Sequence, residues 1–97
     1  MEKKHTVVVI LEAKEDKAAE LKAALEAVVE PSRAEPTNIE YRLHQAQDNP
    51  AQFVLYENWV SKEKHQEQFE KNYIVELGAK LESLLAKPFQ LVFAEEV

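Results

Sequence analysis

The sequence predicts an α+β domain whose elements follow in the order strand, helix, strand, strand, helix, strand, and three observations carry that expectation. The run 6–13, Thr-Val-Val-Val-Ile-Leu-Glu-Ala, is β-branched and bounded by charge, which is the pattern of a strand. Two further β-patterned stretches flank Gln47-Asp48-Asn49-Pro50, and turn chemistry between such runs reads as an antiparallel hairpin. Between and after these strands lie two segments whose apolar residues recur at helical spacing.

Taken in order, the first strand places Val7, Val9 and Leu11 on one face and Thr6, Val8 and Ile10 on the other. Both faces carry apolar side chains, so both need cover. Asp16 is placed to cap a helix running to about Glu30 or Ser32. Ala18, Leu21, Leu25, Val28 and Val29 form its buried stripe, and Lys17, Glu20, Lys22 and Glu26 stay outside. Pro31 and Pro36 lie near its end. The second strand, 39–46, turns Ile39, Tyr41 and Leu43 one way and Glu40, Arg42 and His44 the other. Its return strand, 51–60, aligns Phe53, Leu55, Glu57 and Trp59 against Val54, Tyr56 and Asn58. Ser61 caps a helix beginning near Lys62, on which His65 and Phe69 sit one turn apart. A break is expected near Asn72, followed by a stripe of Leu77, Leu81, Leu84 and Leu85. The only glycine, Gly78, falls inside this helix, where it costs about 1 kcal/mol against alanine. Pro88 ends the helix, and 89–94 is the last strand. This order is the split βαβ, or ferredoxin-like, arrangement: one domain over 1–97, a four-stranded antiparallel sheet with helices on one face.

Two helices cover only one face of such a sheet. The other face exposes Val8, Ile10, Val54, Tyr56 and Val92 or their alternates, a contiguous apolar surface unusual on a monomer. A symmetric homodimer through the open sheet face, with two sheets closing a barrel-like core, resolves this. A chain of this length also buries only about two-thirds of its unfolded surface alone.

Composition narrows the function classes. The 97 residues are 45% hydrophobic and 31% charged, which suits a soluble globular domain. With 18 acidic against 12 basic side chains the formal charge is 12 − 18 = −6. That balance argues against nucleic acid and against an anionic membrane surface as partners. The absence of cysteine removes disulfides, thiolate metal sites and a thiol nucleophile. No apolar run reaches membrane-span length, and the start Met1-Glu2-Lys3-Lys4-His5 shows no cleavage pattern. A cytoplasmic location is expected.

The stretch 35–44, Glu-Pro-Thr-Asn-Ile-Glu-Tyr-Arg-Leu-His, followed by 53–59, Phe-Val-Leu-Tyr-Glu-Asn-Trp, resembles the antibiotic biosynthesis monooxygenase (ABM) family. Its members typically carry an E-P-G-C-like turn, an aromatic shortly after it, and F-x-x-x-E-x-W closing the third strand. The Glu57-x-Trp59 pair is the most specific piece of a likeness spanning nearly the whole chain. The resemblance implies a dimeric α+β barrel of ferredoxin-like subunits, and oxygenation without metal, flavin or haem. The chain also departs from the family. Thr37 stands where glycine is common, and Gln68 and Tyr73, nine and fourteen residues after Trp59, stand where many members have histidines. His65 lies three residues from the first of these positions. The related haem-degrading oxygenases need an Asn on the first strand, a Trp in the second helix and a proximal His beyond it. Here the first strand reads Val-Val-Val-Ile-Leu, and Gln68 and Gly78 lie near the two helix positions. Haem ligation is not supported.

The chemistry so implied is demanding. Triplet dioxygen does not combine readily with a closed-shell substrate, but a phenolate or enolate can surrender one electron and couple with the superoxide formed. The protein must supply an apolar pocket, a base, and donors that settle charge on oxygen. The residue types are present: Trp59, Tyr41, Tyr56, Phe69 and Tyr73 for the pocket, His65 or His44 as base, and Asn38, Asn58 or Gln68 as donors. Histidine suits the base because its ordinary pKa lies near 6.5. The substrate class expected is a small aromatic or quinol-like molecule with O2, and no cofactor or metal is expected. Each residue also has a plainer use. His44 shares a face with Arg42 and Glu40, where solvent exposure is the default, and His5 precedes the first strand and reads as inert. Glu57, inward with Trp59, needs a buried partner such as a backbone amide or Arg33. Two other functions suit the same scaffold: a non-catalytic small-ligand-binding or stress-related protein, and an isomerase of a small carbonyl metabolite. Fold alone does not choose among them.

Overall fold

Residues 4–97 are described by the structure, a computed structural model. The Met1-Glu2-Lys3 start, read above for signal-peptide character, lies outside the described residues. The chain runs β1 (His5–Glu12), α1 (Ala18–Glu26), α2 (Val29–Arg33), β2 (Asn38–Gln45), β3 (Gln52–Trp59), α3 (Lys62–Glu67), a 3-10 turn (Gln68–Glu70), α4 (Asn72–Leu84) and β4 (Gln90–Ala94). The sheet order is β2-β3-β1-β4, antiparallel throughout. This is the expected ferredoxin-like α+β fold.

Strand alternation sorts the side chains into two layers. Toward the helices stand Val7, Val9, Leu11, Tyr41, Phe53, Leu55, Glu57 and Trp59, all buried. Leu21, Ala24 and Leu25 of α1 and Leu77, Leu81 and Leu84 of α4 close on them. The other face carries a row Arg42–Tyr56–Val8–Val92 across all four strands, with Val54 and Ile10 paired in the next row. Tyr56 and Val92 there are 37% and 50% exposed, so this is the uncovered apolar face expected from the sequence.

Local details differ from expectation for physical reasons. Asp16 does not cap α1: it takes φ 70° in the preceding turn, a region that aspartate tolerates better than most residues. Lys17 is the residue before the helix, and no side chain caps it. The single helix expected to Glu30 or Ser32 is two, parted at Ala27–Val28. Pro31 therefore falls in the first turn of α2, where a missing N–H costs little. A bulge between Asn38 and Glu40 takes Ile39 out of the inward series and leaves it 43% exposed. Ser61 does cap α3, its Oγ accepting from the Lys64 N–H at 3.2 Å. The expected break comes at Lys71, extended at ψ 140° between the 3-10 turn and α4.

Candidate functional site

Period-2 alternation along β3 brings Glu57 and Trp59 inward as neighbours on one face, and both are buried. The Trp59 indole N–H donates to Glu57 Oε1 at 2.9 Å. From above, the Ser61 cap sets α3 so that His65 points down onto the same group, its Nε2 3.7 Å from that oxygen. His65 is itself almost fully buried and is ringed by aromatics. Centroids of Phe69, Trp59 and Phe93 lie 5.0, 5.3 and 5.8 Å away. His5 pairs with Trp59 across the β1–β3 ladder, and its ring packs 5.5 Å from His65 and 4.8 Å from Phe93. His65 Nδ1 and His5 Nε2 are buried without a hydrogen-bond partner.

Burial dominates the electrostatics. It raises the Glu57 carboxyl to about 7, against the opposing pull of the Trp59 N–H. It lowers His65 to about 4, with the neighbouring His5 adding to the shift. Both effects disfavour the charged form. The site therefore holds a neutral imidazole beside a carboxyl that changes state near neutrality.

A cavity of about 190 Å³ opens against this centre. Val9, Leu11, Leu25, Leu55, Leu77 and Leu81 give it apolar walls, and Tyr41, Glu57, His65 and Gln68 supply its polar groups. Phe69, Phe89 and Leu91 also line it, and each is more than two-fifths exposed. Larger depressions on the surface, such as one of about 690 Å³ beside Lys4, His5 and Lys62, are open grooves. The cavity beside Glu57 and His65 is where the titratable groups converge. Behind its Tyr41–Gln68 wall runs a polar chain. Gln68 Nε2 donates to Ser32 Oγ at 2.8 Å and to the Tyr73 hydroxyl at 3.3 Å. Tyr73 donates in turn to Glu35 Oε2 at 2.8 Å, and Lys71 Nζ lies 3.6 Å from the other Glu35 oxygen. Burial raises the Tyr41 phenol, with Glu57 adding to it. Burial also raises Tyr73, chiefly offset by Gln68.

The structure thus brings His65, Tyr41, Gln68 and Phe69 to the cavity, while Trp59, expected in the pocket wall, does not line it and sits behind Glu57, and Tyr73 lies one hydrogen bond behind Gln68. Other residues expected from the sequence stand elsewhere. His44 is exposed on the open face of the sheet, in register with Val54. Asn58 faces that side too, donating to Glu40 Oε1 at 2.7 Å and accepting from Thr6. Asn38 spends its carboxamide on the bulge, donating to the Glu40 carbonyl at 2.9 Å. Tyr56, expected in the pocket wall, belongs to the open face. Arg33 does not pair Glu57: its Nε donates to the Tyr41 carbonyl at 2.9 Å. Glu57 and His5 are the residues whose place in the site sequence reasoning missed. For Glu57 the signal was present, a carboxylate inside an inward apolar series. For His5 it was not, because the β1–β3 register is a long-range property. Among the described residues no cluster of three or more His, Asp or Glu side chains is disposed to hold a metal ion. No helix among them is long and apolar enough to cross a membrane.

Fold and site together define a ferredoxin-like α+β protein with a small, largely apolar cavity between its sheet and helices. Residues 5–73 match the family model described as antibiotic biosynthesis monooxygenase, and the chain belongs to that family. An uncharacterized protein of Synechocystis is 31% identical over 81 residues, covering 84% of this chain and 55% of the relative. The chain thus spans about half the length of that curated relative. Among solved structures, a Pseudomonas aeruginosa protein superimposes with a TM-score of 0.95 at 24% identity, covering 100% of this chain and 97% of the other. A Shewanella oneidensis protein gives 0.92 at 23%, covering 99% and 93%. At those identities the likeness is one of fold.

Proposed function

We propose that this chain is a cofactor-free monooxygenase acting on a small aromatic or quinol-like substrate with O2. One observation carries the reading: Glu57, a buried carboxyl that desolvation raises to about 7, lines a largely apolar cavity beside the Trp59 N–H and His65. A base is most effective when its pKa lies near the working pH, and Glu57 meets that condition where His65, lowered to about 4, does not. The base role expected of a histidine therefore passes to Glu57. Its carboxylate takes the phenolic proton, and the phenolate transfers one electron to O2. The resulting radical and superoxide couple at a ring carbon. Glu57 returns its proton to the peroxide so formed. Loss of the ring C–H proton with hydroxide then leaves a carbonyl and one water. Trp59 orients Glu57 through its N–H, while neutral His65 and the leucine walls exclude water from the charged intermediates.

The test is oxygen uptake on hydroquinones such as menadiol. Glu57→Gln keeps the Trp59 hydrogen bond and removes the base, and it is expected to lower uptake at least a hundredfold, within the range of general-base contributions. Trp59→Phe and His65→Ala are expected to lower it less. Wild-type protein that never exceeds the spontaneous rate would sink the oxygenase reading, and ligand binding without uptake would favour the non-catalytic one.

The working unit in this proposal is a homodimer whose second copy covers the row Tyr56–Val8–Val92. Support comes from the exposure of that apolar face on a single chain.

A further inference from the structure

Gln68 is a buried cavity residue whose hydrogen-bonding sense can be read from its neighbours. Tyr73 has one hydroxyl proton and donates it to Glu35. Its oxygen can therefore only accept from Gln68, which fixes the NH2 end of the carboxamide toward Tyr73. The same NH2 group donates to Ser32, which is fully buried. Both N–H bonds are thus spent, and neither acceptor lines the cavity. Gln68 itself is a cavity wall, and its Oε1 accepts no hydrogen bond from the described residues. The donor role expected of this residue from the sequence is not available to a ligand.

We propose that Gln68 Oε1 is the cavity's fixed hydrogen-bond acceptor, so that this site selects aromatics carrying a free hydroxyl over their O-alkyl ethers. This deepens the function proposed above and rests on it, since it assigns the means by which a phenol or quinol is recognised. An ether would leave the carbonyl unpaired against largely apolar cavity walls and set a methyl group against it. A quinol donates one hydroxyl to this carbonyl and presents the other to Glu57, which takes its proton. Sites that bond a ligand hydroxyl discriminate sharply against analogues lacking the donor. Tyr73, Glu35 and Ser32 act only as positioning residues, because they keep the carboxamide from turning over.

The experiment is calorimetric titration, in nitrogen-purged buffer, of 1-naphthol and 1-methoxynaphthalene. Wild-type protein is expected to bind the naphthol at least tenfold more tightly. In Gln68→Met, of similar length and without an acceptor, that gap closes, while in Glu57→Gln it persists. Tyr73→Phe frees the carboxamide to present its NH2, and the gap narrows without a change in the cavity wall. Thermal denaturation shows that each variant is folded, and Tyr73→Phe carries the test alone should Gln68→Met fail to fold. Equal affinities in wild-type protein, or a gap unchanged in the folded variants, would overturn the assignment to Gln68 and leave the oxygenase reading to stand on oxygen uptake. Binding of neither probe would likewise overturn the assignment to Gln68, while the oxygenase reading falls only if hydroquinone oxygen uptake also never exceeds the spontaneous rate.

Discussion

Glu57 and His65 are moved in opposite directions by the same desolvation, and this has a measurable signature in stability. Folding raises Glu57 from 4.5 to about 7. Between those values the folded chain holds a proton that the unfolded chain has lost, so this contribution is full below 4.5 and disappears as pH rises through 7. Folding lowers His65 from 6.5 to about 4. Here the unfolded chain holds the extra proton, so the contribution is full above 6.5 and disappears as pH falls through 4. Each displacement is worth up to about 3 kcal/mol, and the two slopes oppose one another between pH 4.5 and 6.5. In urea denaturation across pH, Glu57→Gln is therefore expected to show stability rising relative to wild type from pH 4.5 to 7. His65→Phe is expected to show it falling relative to wild type from pH 4 to 6.5. Variant and wild-type curves that stay parallel would contradict the pairing. At this scale the sequence was half legible. Glu57, Asn58 and Trp59 are consecutive, and alternation alone sends Asn58 to the opposite face from its neighbours. The identity of Glu57's partner was not legible, because it depends on which rotamer brings the Trp59 N–H to the carboxylate.

The elements that form the site were read from local signals wherever local signals decide them. Ser61 caps α3 because its hydroxyl reaches the Lys64 N–H within one turn, which a sequence shows directly. The bulge at Asn38 is set instead by how two distant strands slide past each other, as is the pairing that delivers His5 to His65. Within α4, Gly78 has no local excuse: a methyl group built there meets nothing within 4 Å. It lines the cavity without touching the opposite wall. Gly78→Ala is expected to raise stability by about 0.5–1 kcal/mol through helix propensity. The midpoint of thermal unfolding should rise by several degrees. A fall in the midpoint would mean that α4 depends on backbone freedom at this position.

For the molecule as a whole, the open face of the sheet was the most legible feature, because period-2 alternation in β1 and β3 yields two apolar faces and only one helix layer. The row Arg42–Tyr56–Val8–Val92 spans the sheet, and the Glu40–Asn58–Thr6 hydrogen-bond ladder forms a polar border beside it. Such a centre and border suit a self-complementary contact, in which each residue appears twice about the two-fold axis. In the proposed dimer Tyr56→Glu places two carboxylates in a desolvated interface, each costing about 2 kcal/mol or more. The dimer dissociation constant is expected to rise about a thousandfold. Val75→Glu, on an α4 residue 57% exposed on the helix side, adds the same charge away from that face and should leave association unchanged. Sedimentation velocity across a concentration series reads both. A wild-type chain that sediments as a monomer throughout, or a Tyr56→Glu chain that associates as wild type does, would remove the open face from the assembly.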